Sequence, residues 1–182
     1  ALFSFAIFWA GCAGLWVYAE RIGLYQGYSL PEIGFYLAIG QIVGVAGPMF
    51  VPFLTKHMQM AHIFVIAIII NIFAVLMFVY APAGWAYSAG AAVLSFWAMM
   101  LTPCFRILMA LIDRTGIVVA ASVAFFTLGY GFAPLLISWF LGEQPGYDVV
   151  AIVCIAFFVL SIVTIVPPAR KYRLKAQSSE SA

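Results

Sequence analysis

The chain has 182 residues, of which 66% are hydrophobic and 8% charged, and its mean hydropathy is +1.14. Soluble domains average about 45–50% apolar and about 25% charged residues, so this composition excludes an ordinary soluble domain. The formal net charge is only +2, and the few basic residues lie beside apolar segments, which argues against nucleic acid as a partner.

Six apolar segments follow one another along the chain, and each is long enough to cross roughly 30 Å of hydrocarbon as a helix. They cover about 1–22, 33–54, 62–80, 85–105, 117–141 and 148–167. Membrane β-strands would alternate in segments of about ten residues, and these segments do not. The sequence therefore predicts an all-α membrane protein, with a six-helix bundle over 1–168 and a basic, then Ser-rich tail at 169–182. We expect this tail to be frayed or disordered.

The charged residues indicate how the helices are oriented, because a charge at a helix centre costs roughly 2.5–3.5 kcal/mol on insertion scales. They lie between the apolar segments or near their ends. Except for Arg21, the basic residues fall after the second and fourth segments or in the tail: Lys56, Arg106, Arg114, Arg170, Lys171, Arg173 and Lys175. The positive-inside rule then predicts that both chain ends are cytoplasmic, in what we expect to be a bacterial cytoplasmic membrane. Because the chain starts at Ala1 inside an apolar segment, without a basic leader, we expect an upstream portion.

Glycine and proline are concentrated in the second and fifth segments. The residues concerned are Gly40, Gly44, Gly47 and Pro48 in the second, and Gly129, Gly131 and Pro134 in the fifth. Gly40 and Gly44 form a small-xxx-small pair that lets another helix approach closely. Either these residues serve ordinary packing, or the two helices bend or slide during a conformational cycle. The segments correspond if the chain consists of two inverted three-helix repeats, as in secondary transporters.

Four stretches together resemble the C-terminal half, helices seven to twelve, of a major facilitator superfamily transporter. They are LWVYAERIG at 15–23, SLPEIG at 29–34, IDRTG at 112–116 and GYGFAP at 129–134. The resemblance covers nearly the whole chain and implies half of a twelve-helix fold. It also implies a loop motif formed by Asp113, Arg114 and Gly116. The family's basic and acidic loop after its eighth helix is reduced here to one lysine, Lys56, within 54–60.

One face of the first segment is a candidate substrate pathway. Trp9, Ala13, Trp16 and Glu20 share this face by helical spacing. The indoles suit an apolar or aromatic substrate, and the carboxylate suits a cation or a proton. The resemblance supports this role, because the family places the first helix of this half beside its cavity. The alternative is an interfacial aromatic belt with charges that reach water.

The fourth segment carries a stripe of small and weakly polar residues at helical spacing. Its members are Ser88, Ala92, Ser95, Met99, Thr102 and Arg106. Such a stripe suits a water-lined pathway or close helix packing. The resemblance implies that the matching helix faces the cavity, and Arg106 is either a gate or a positive-inside anchor.

Other polar residues have simpler interpretations. We expect Asn71 and Gln41 to hydrogen-bond neighbouring helices, and Asp113 and Arg114 to pair with helix ends. Tyr130 either reaches a cavity or bonds backbone freed by Pro134. The histidines and cysteines show no metal-site or disulfide pattern, so no cofactor or metal is predicted.

These features favour a secondary active transporter that moves a small-molecule solute by alternating access, with ion or proton coupling. Its expected partners are the lipid bilayer and a matching N-terminal six-helix half, from the same gene or another chain. An intramembrane enzyme is disfavoured because no nucleophile–base pair or His-Glu-x-x-His pattern lies inside a segment. The alternative is a non-transporting membrane scaffold or assembly protein.

Overall fold

The computed structural model describes residues 1–80, 83–113, 115–141 and 146–180, and over 171–180 it describes the backbone only. The described residues form α-helices and contain no strand. The helices are α1 (Leu2–Tyr25), α2 (Leu30–Ala46), α3 (Val51–His57), α4 (Met60–Tyr80), α5 (Gly84–Ile112), α6 (Ile117–Leu141) and α7 (Asp148–Glu180). A 3-10 turn, Gly47–Phe50, joins α2 to α3.

Six helical segments in the described part of the chain are long and apolar enough to cross a membrane. Four are the single helices α1, α4, α5 and α6, one is the combined segment Leu30–His57, and one is Asp148–Arg170 within α7. Each corresponds to one of the apolar segments of the sequence. The architecture is that of an integral, multi-pass membrane protein.

Two helices extend furthest beyond their predicted ends. α5 continues to Ile112 and includes Arg106 on an exposed position, six residues before its end. The backbone of α7 is helical as far as Glu180, where a frayed or disordered tail was expected. The residues of 169–177 are mostly Ala, Lys, Arg, Leu and Gln, and these have high helix propensity.

The turn between α1 and α2 is held at both sides. Gly27 adopts φ +90°, which a residue with a side chain rarely adopts. The Gln26 side-chain amide donates to the carbonyls of Phe78 (3.0 Å) and Val79 (2.9 Å) near the end of α4. Ser29 and Glu32 form a capping box, with Ser29 N–H donating to Glu32 Oε2 at 2.8 Å. These bonds fix one end of the bundle.

α1 and α5 are the two central helices, and each packs against two others in an equivalent way. α2 packs along α5, and α6 packs along α1. α4 packs on α5 and α7 packs on α1, while α4 and α7 also contact each other. In its most apolar stretch α1 is 67% buried, whereas the stretches in Leu30–His57 and α6 are only 22% and 17% buried. α2 and α6 are therefore the outer helices of the bundle.

Phenylalanine rings from four helices fill the interior. The Phe105 ring of α5 lies 4.5 Å from that of Phe64 in α4 and 5.6 Å from that of Phe8 in α1, between ring centroids. Phe8 in turn lies 5.7 Å from Phe158 in α7. All four rings are fully buried. Cys12, Cys104 and Cys154 are buried among these apolar side chains.

Candidate functional site

A cleft of about 250 Å³ lies between α1, α2, α5 and α6. Its lining residues fall near the middle of each helical segment: 9–16 in α1, Gln41 in Leu30–His57, 94–99 in α5 and 126–130 in α6. If the helices cross a bilayer, the cleft lies close to the bilayer midplane.

One wall of the cleft is aromatic and is built by α1 and α6. The ring centroid of Trp9 lies 4.7 Å from that of Phe126, at an interplanar angle of 78°. Phe126 lies 5.5 Å from Tyr130. Trp16 and Cys12 complete this wall on the α1 side. Edge-to-face and tilted contacts at these distances stabilise aromatic pairs, so the rings hold each other in place.

The opposite wall belongs to α2 and α5 and contains Gln41, Leu94, Ser95, Ala98 and Met99. These two helices meet at small residues. A Cβ built on Gly44 would lie 3.0 Å from Ser95 Cβ, so the α2 backbone reaches the wall three residues after Gln41. Gln41 and Ser95 both line this wall, one from each of the two packed helices.

Several hydrogen-bonding groups of the cleft have no partner among the described residues. The Ser95 side chain is only 6% exposed, and its hydroxyl makes no hydrogen bond within the described part of the chain. The buried indole N–H of Trp9 is also unpaired there. The Gln41 amide is exposed and likewise makes no such bond. Buried polar groups normally have partners, so the Ser95 hydroxyl and the Gln41 amide are available to a ligand or water, whereas the Trp9 N–H is enclosed by protein.

Four of the six predicted pathway residues line the cleft, namely Trp16, Ser95, Met99 and Tyr130. The other two, Glu20 and Ser88, do not. Glu20 lies one turn beyond Trp16 and Ser88 lies two turns before Ser95, so both extend toward the end of the bundle where α1 ends and α5 begins. The Tyr87 hydroxyl donates to the Ala19 carbonyl at 2.8 Å and joins α5 to α1 at this end.

The glycines predicted as hinges occupy different environments. Gly40, Gly44 and Gly47 all face α5, and a Cβ on Gly47 would collide with the carbonyl oxygen of Phe96. Gly129 faces α1, where a Cβ would collide with the Ala6 carbonyl oxygen. Gly131 faces outward with no atom within 4 Å of an added Cβ. The close approach expected at Gly40 and Gly44 is thus an α2–α5 contact, while a hinge role stays a prediction.

The two prolines also differ. Pro48 lies in the 3-10 turn that separates α2 from α3, so the second span changes its helical geometry there. α6 continues through Pro134 without a break. The carbonyl of Pro134 accepts a hydrogen bond from the Tyr18 hydroxyl at 3.3 Å, whereas the hydroxyl of Tyr130 bonds no described residue.

Asp113 directly follows α5, in the loop that leads to α6 and that is expected to carry a family motif. Its Oδ1 accepts bonds from the Thr115 hydroxyl (2.6 Å) and N–H (3.0 Å), and its Oδ2 accepts one from Val118 N–H (2.9 Å). These bonds, first the one from the Thr115 side chain, lower the pKa of Asp113. Gly116 has φ +77°, a conformation that favours glycine. Asp113 pairs with a helix end as predicted, and Arg114 lies outside the described residues.

Asn71 does not behave as expected. The sequence predicts that its amide bonds a neighbouring helix, but the residue is fully buried and neither amide atom has a partner among the described residues. It is the one polar side chain among the buried residues of α4, so its own helix offers no other side-chain donor or acceptor on this face. That prediction is wrong.

Sequence reasoning missed part of the cleft lining. The hydrogen bond predicted from Gln41 to a neighbouring helix is absent among the described residues, and Gln41 lines the cleft instead. The sequence patterns also do not single out Cys12, Leu94, Ala98 or Phe126 as cleft residues. Helical spacing could have found Phe126, four residues before Tyr130, and Ala98, three residues after Ser95. No signal in the sequence could have shown which face of α2 turns toward α1.

Comparison of the chain with protein-family models, with curated proteins and with solved structures finds no match. The geometry of the cleft and the arrangement of the helices therefore carry the functional argument.

Proposed function

We propose that the chain is the C-terminal half of a major facilitator-type secondary transporter, and that it moves a small solute by alternating access. The observation that carries the proposal is the cleft, which lies at mid-length in four helices and has unpaired polar groups in an otherwise apolar lining. Secondary transporters bind substrate near the bilayer midplane between structural repeats. A cleft at this depth is hard to explain in a protein that only anchors partners.

The reciprocal packing supports an internal inverted repeat. Exchanging α1, α2 and α4 for α5, α6 and α7 turns the α2–α5 contact into the α6–α1 contact, and the α4–α5 contact into the α7–α1 contact. All four contacts are extensive in the structure. Two three-helix units related by a pseudo-two-fold axis would produce this pattern.

The outer helices support a partner half on the cleft side. α2 and α6 flank the cleft and are the least buried spans. Their exposed faces include glycines, Gly34 on α2 and Gly131 on α6, beside which an added Cβ meets no atom within 4 Å. Small residues on exposed faces allow close helix packing in a membrane. A matching N-terminal six-helix half placed here would close the cleft into a pathway.

The proposed orientation follows from the basic residues. With six spans, the first span starts and the last span ends on the same side of the membrane. Lys56, Arg106 and Arg170 lie toward that side. The positive-inside rule makes this side cytoplasmic, as expected in a bacterial inner membrane. The energy would come from a co-transported ion, with Glu20 as the proton-binding candidate in this half. Replacement of Glu20 by Gln should then weaken proton-driven uptake, and unchanged uptake at every pH would eliminate this coupling role.

The transport proposal is tested by reconstituting the complete protein, as its gene encodes it, in sealed vesicles and measuring uptake of a panel of small solutes. Ala98→Trp should abolish uptake because the indole fills the cleft, while Ile152→Trp, on an exposed position of α7 outside the cleft, should leave it unchanged. Absence of flux for every solute would favour the scaffold alternative. Equal flux through both variants would show that the cleft is not the pathway.

A further inference from the structure

We propose that the cleft binds an uncharged, flat aromatic molecule that carries an amide-like hydrogen-bonding group. This inference rests on the proposed transport function and names the substrate class for the same site. Three features of the described cleft lead to it: its charge, its aromatic wall and its unpaired polar groups.

The lining residues carry no formal charge. None of the ten described residues that form the cleft is Asp, Glu, Lys, Arg or His. At mid-length of the spans the surroundings are apolar, and an ion bound there would lose its hydration without a counter-charge in this wall. The chemistry of this lining therefore discriminates against both anions and cations.

The aromatic wall suits a planar ligand. Trp9 and Phe126 meet edge to face, and Tyr130 lies against Phe126 at 5.5 Å between ring centroids. Met99, on the opposite wall, adds a polarizable thioether that makes favourable contacts with rings. A ring inserted between the two walls would make stacking contacts on one side and thioether contacts on the other.

The unpaired groups specify where the polar end of the ligand lies. The Ser95 hydroxyl is a donor and an acceptor, and the Gln41 amide on the same wall supplies both functions as well. A primary carboxamide presents the complementary acceptor and donors, so one such group would satisfy both side chains.

The volume limits the size of the ligand on this side of the site. The cleft has a volume of about 250 Å³. Pockets for drug-sized ligands are larger, about 300–1,000 Å³. A single substituted ring fits this volume.

The test uses three probes of nearly equal shape and different charge: benzamide, benzoate and benzylammonium. Binding of tritiated benzamide to the complete protein in lipid nanodiscs is measured directly, and the two ions are measured as competitors. We expect benzamide to bind, and each ion to compete at least about tenfold more weakly, because its charge would be desolvated without a partner.

Variants of the two polar side chains locate the bound amide. Ser95→Ala and Gln41→Leu should each weaken benzamide binding about two- to tenfold, the usual effect of one hydrogen bond. Matched controls are Ser138→Ala on α6 and Thr55→Val on α3, since both hydroxyls lie outside the cleft and bond their own helix. Both controls should bind benzamide as the native protein does.

Gln41→Glu provides a test that does not depend on loss of binding. The substitution keeps the shape of the side chain and adds a carboxylate, so it should shift the preference from benzamide toward benzylammonium. A gain for the cation cannot come from misfolding.

The inference is overturned by ions that bind as well as benzamide, by polar variants without effect, or by the absence of binding for all three probes. Its failure can be told apart from that of the transport proposal. Uptake restricted to charged solutes and blocked by Ala98→Trp would leave transport intact and refute the neutral ligand. Benzamide binding without flux of any solute would leave the neutral ligand intact and refute transport.

Discussion

The outer helices α2 and α6 occupy reciprocal places in the bundle, yet their contacts with α5 and α1 are of different kinds. α2 meets α5 through backbone: a Cβ on Gly40 would lie 3.0 Å from the carbonyl carbon of Ala91, and Gly44 and Gly47 continue the same line. α6 meets α1 largely through rings, with Phe126 against Trp9 and Phe125 5.5 Å from Phe3. The first contact is a glycine seam and the second an aromatic seam.

The difference shows that two kinds of interaction, backbone contact at glycines and contact between aromatic rings, can stabilise helices in equivalent positions. At Gly40, Gly44 and Gly47 the glycine seam leaves no room for a side chain, so backbone shape fixes its geometry there. The aromatic seam is held by contacts between side-chain rings. The cleft lies between the two seams, so a ligand would touch a wall set by backbone contact on one side and a wall of packed rings on the other.

The largest effect should come from a side chain placed in the glycine seam. Gly47→Leu would drive a side chain into the Phe96 carbonyl and toward the Met100 backbone N–H. Overpacking costs about 1–3 kcal/mol where side chains can adjust, and here backbone cannot, so we expect a loss of about 3 kcal/mol or more in the free energy of unfolding. Equilibrium unfolding by SDS in mixed micelles measures it.

Gly34→Leu is the matched control for this seam, because Gly34 lies in the same span, Leu30–His57, with open space around it. It should change the free energy of unfolding little. Equal losses in the two variants would mean that helix propensity, and not the α5 contact, explains the glycines of α2.

A smaller effect is expected from glycine in the aromatic seam. Gly129→Leu would collide with the Ala6 carbonyl, but α6 is the least buried span and can move outward. We expect a loss of about 1–3 kcal/mol by the same measurement. Gly131→Leu, two residues away and facing outward, should cost far less. If Gly131→Leu proved as harmful as Gly129→Leu, α6 would have to rotate from its position in the structure.

The rings of the aromatic seam should contribute less still. Phe126→Leu keeps an apolar side chain but removes the ring contacts with Trp9 and Tyr130, which predicts a loss of about 0.5–1.5 kcal/mol. Phe132→Leu is the control, since Phe132 is 54% exposed and has no ring partner among the described residues. A double-mutant cycle of Phe126 with Trp9 would measure their coupling, and a coupling near zero would refute the role assigned to the rings.

The two seams also show what the sequence can predict. The positions of the spans follow directly from the apolar segments of the sequence, because the thickness of the bilayer sets the length of each segment. The small-xxx-small pair at Gly40 and Gly44 predicts a close helix–helix contact, because few other patterns let two helix backbones come so near each other. The identity of the partner, α5, could not be predicted, because small residues specify closeness and not which helix comes close.

The cleft was predictable in part for a related reason. Helical spacing placed Trp16 and Ser95 on candidate faces, and the structure brings both into one cleft. Periodicity defines a face of one helix, but the meeting of faces from four helices depends on long-range packing. For the same reason the hydrogen bonds predicted from Gln41 and Asn71 to neighbouring helices are wrong: among the described residues Gln41 lines the cleft and Asn71 has no partner.

The smallest predicted effect lies outside both seams, at the loop that leads from α5 into α6. The hydrogen bonds from Thr115 and Val118 lower the pKa of Asp113 in the folded protein below its unfolded value of about 3.9. Its contribution to stability is therefore fully present above the unfolded pKa and is lost as the pH falls through the folded pKa. The N-terminus of α6 favours the carboxylate in the same direction, and exposure to solvent keeps the effect small.

Asp113→Asn isolates this contribution, because the amide keeps the shape of the side chain but cannot accept with both ends. We expect the variant to be slightly less stable than the native protein near pH 6, and the difference to shrink as the pH is lowered toward about 3, in SDS unfolding measured at each pH. Thr115→Val should raise the pKa of Asp113 toward its ordinary value and move this loss of stability to higher pH. A stability difference between the native protein and Asp113→Asn that did not change with pH would show that the charge on Asp113 plays no part in starting α6, and that its hydrogen bonds matter only through their geometry.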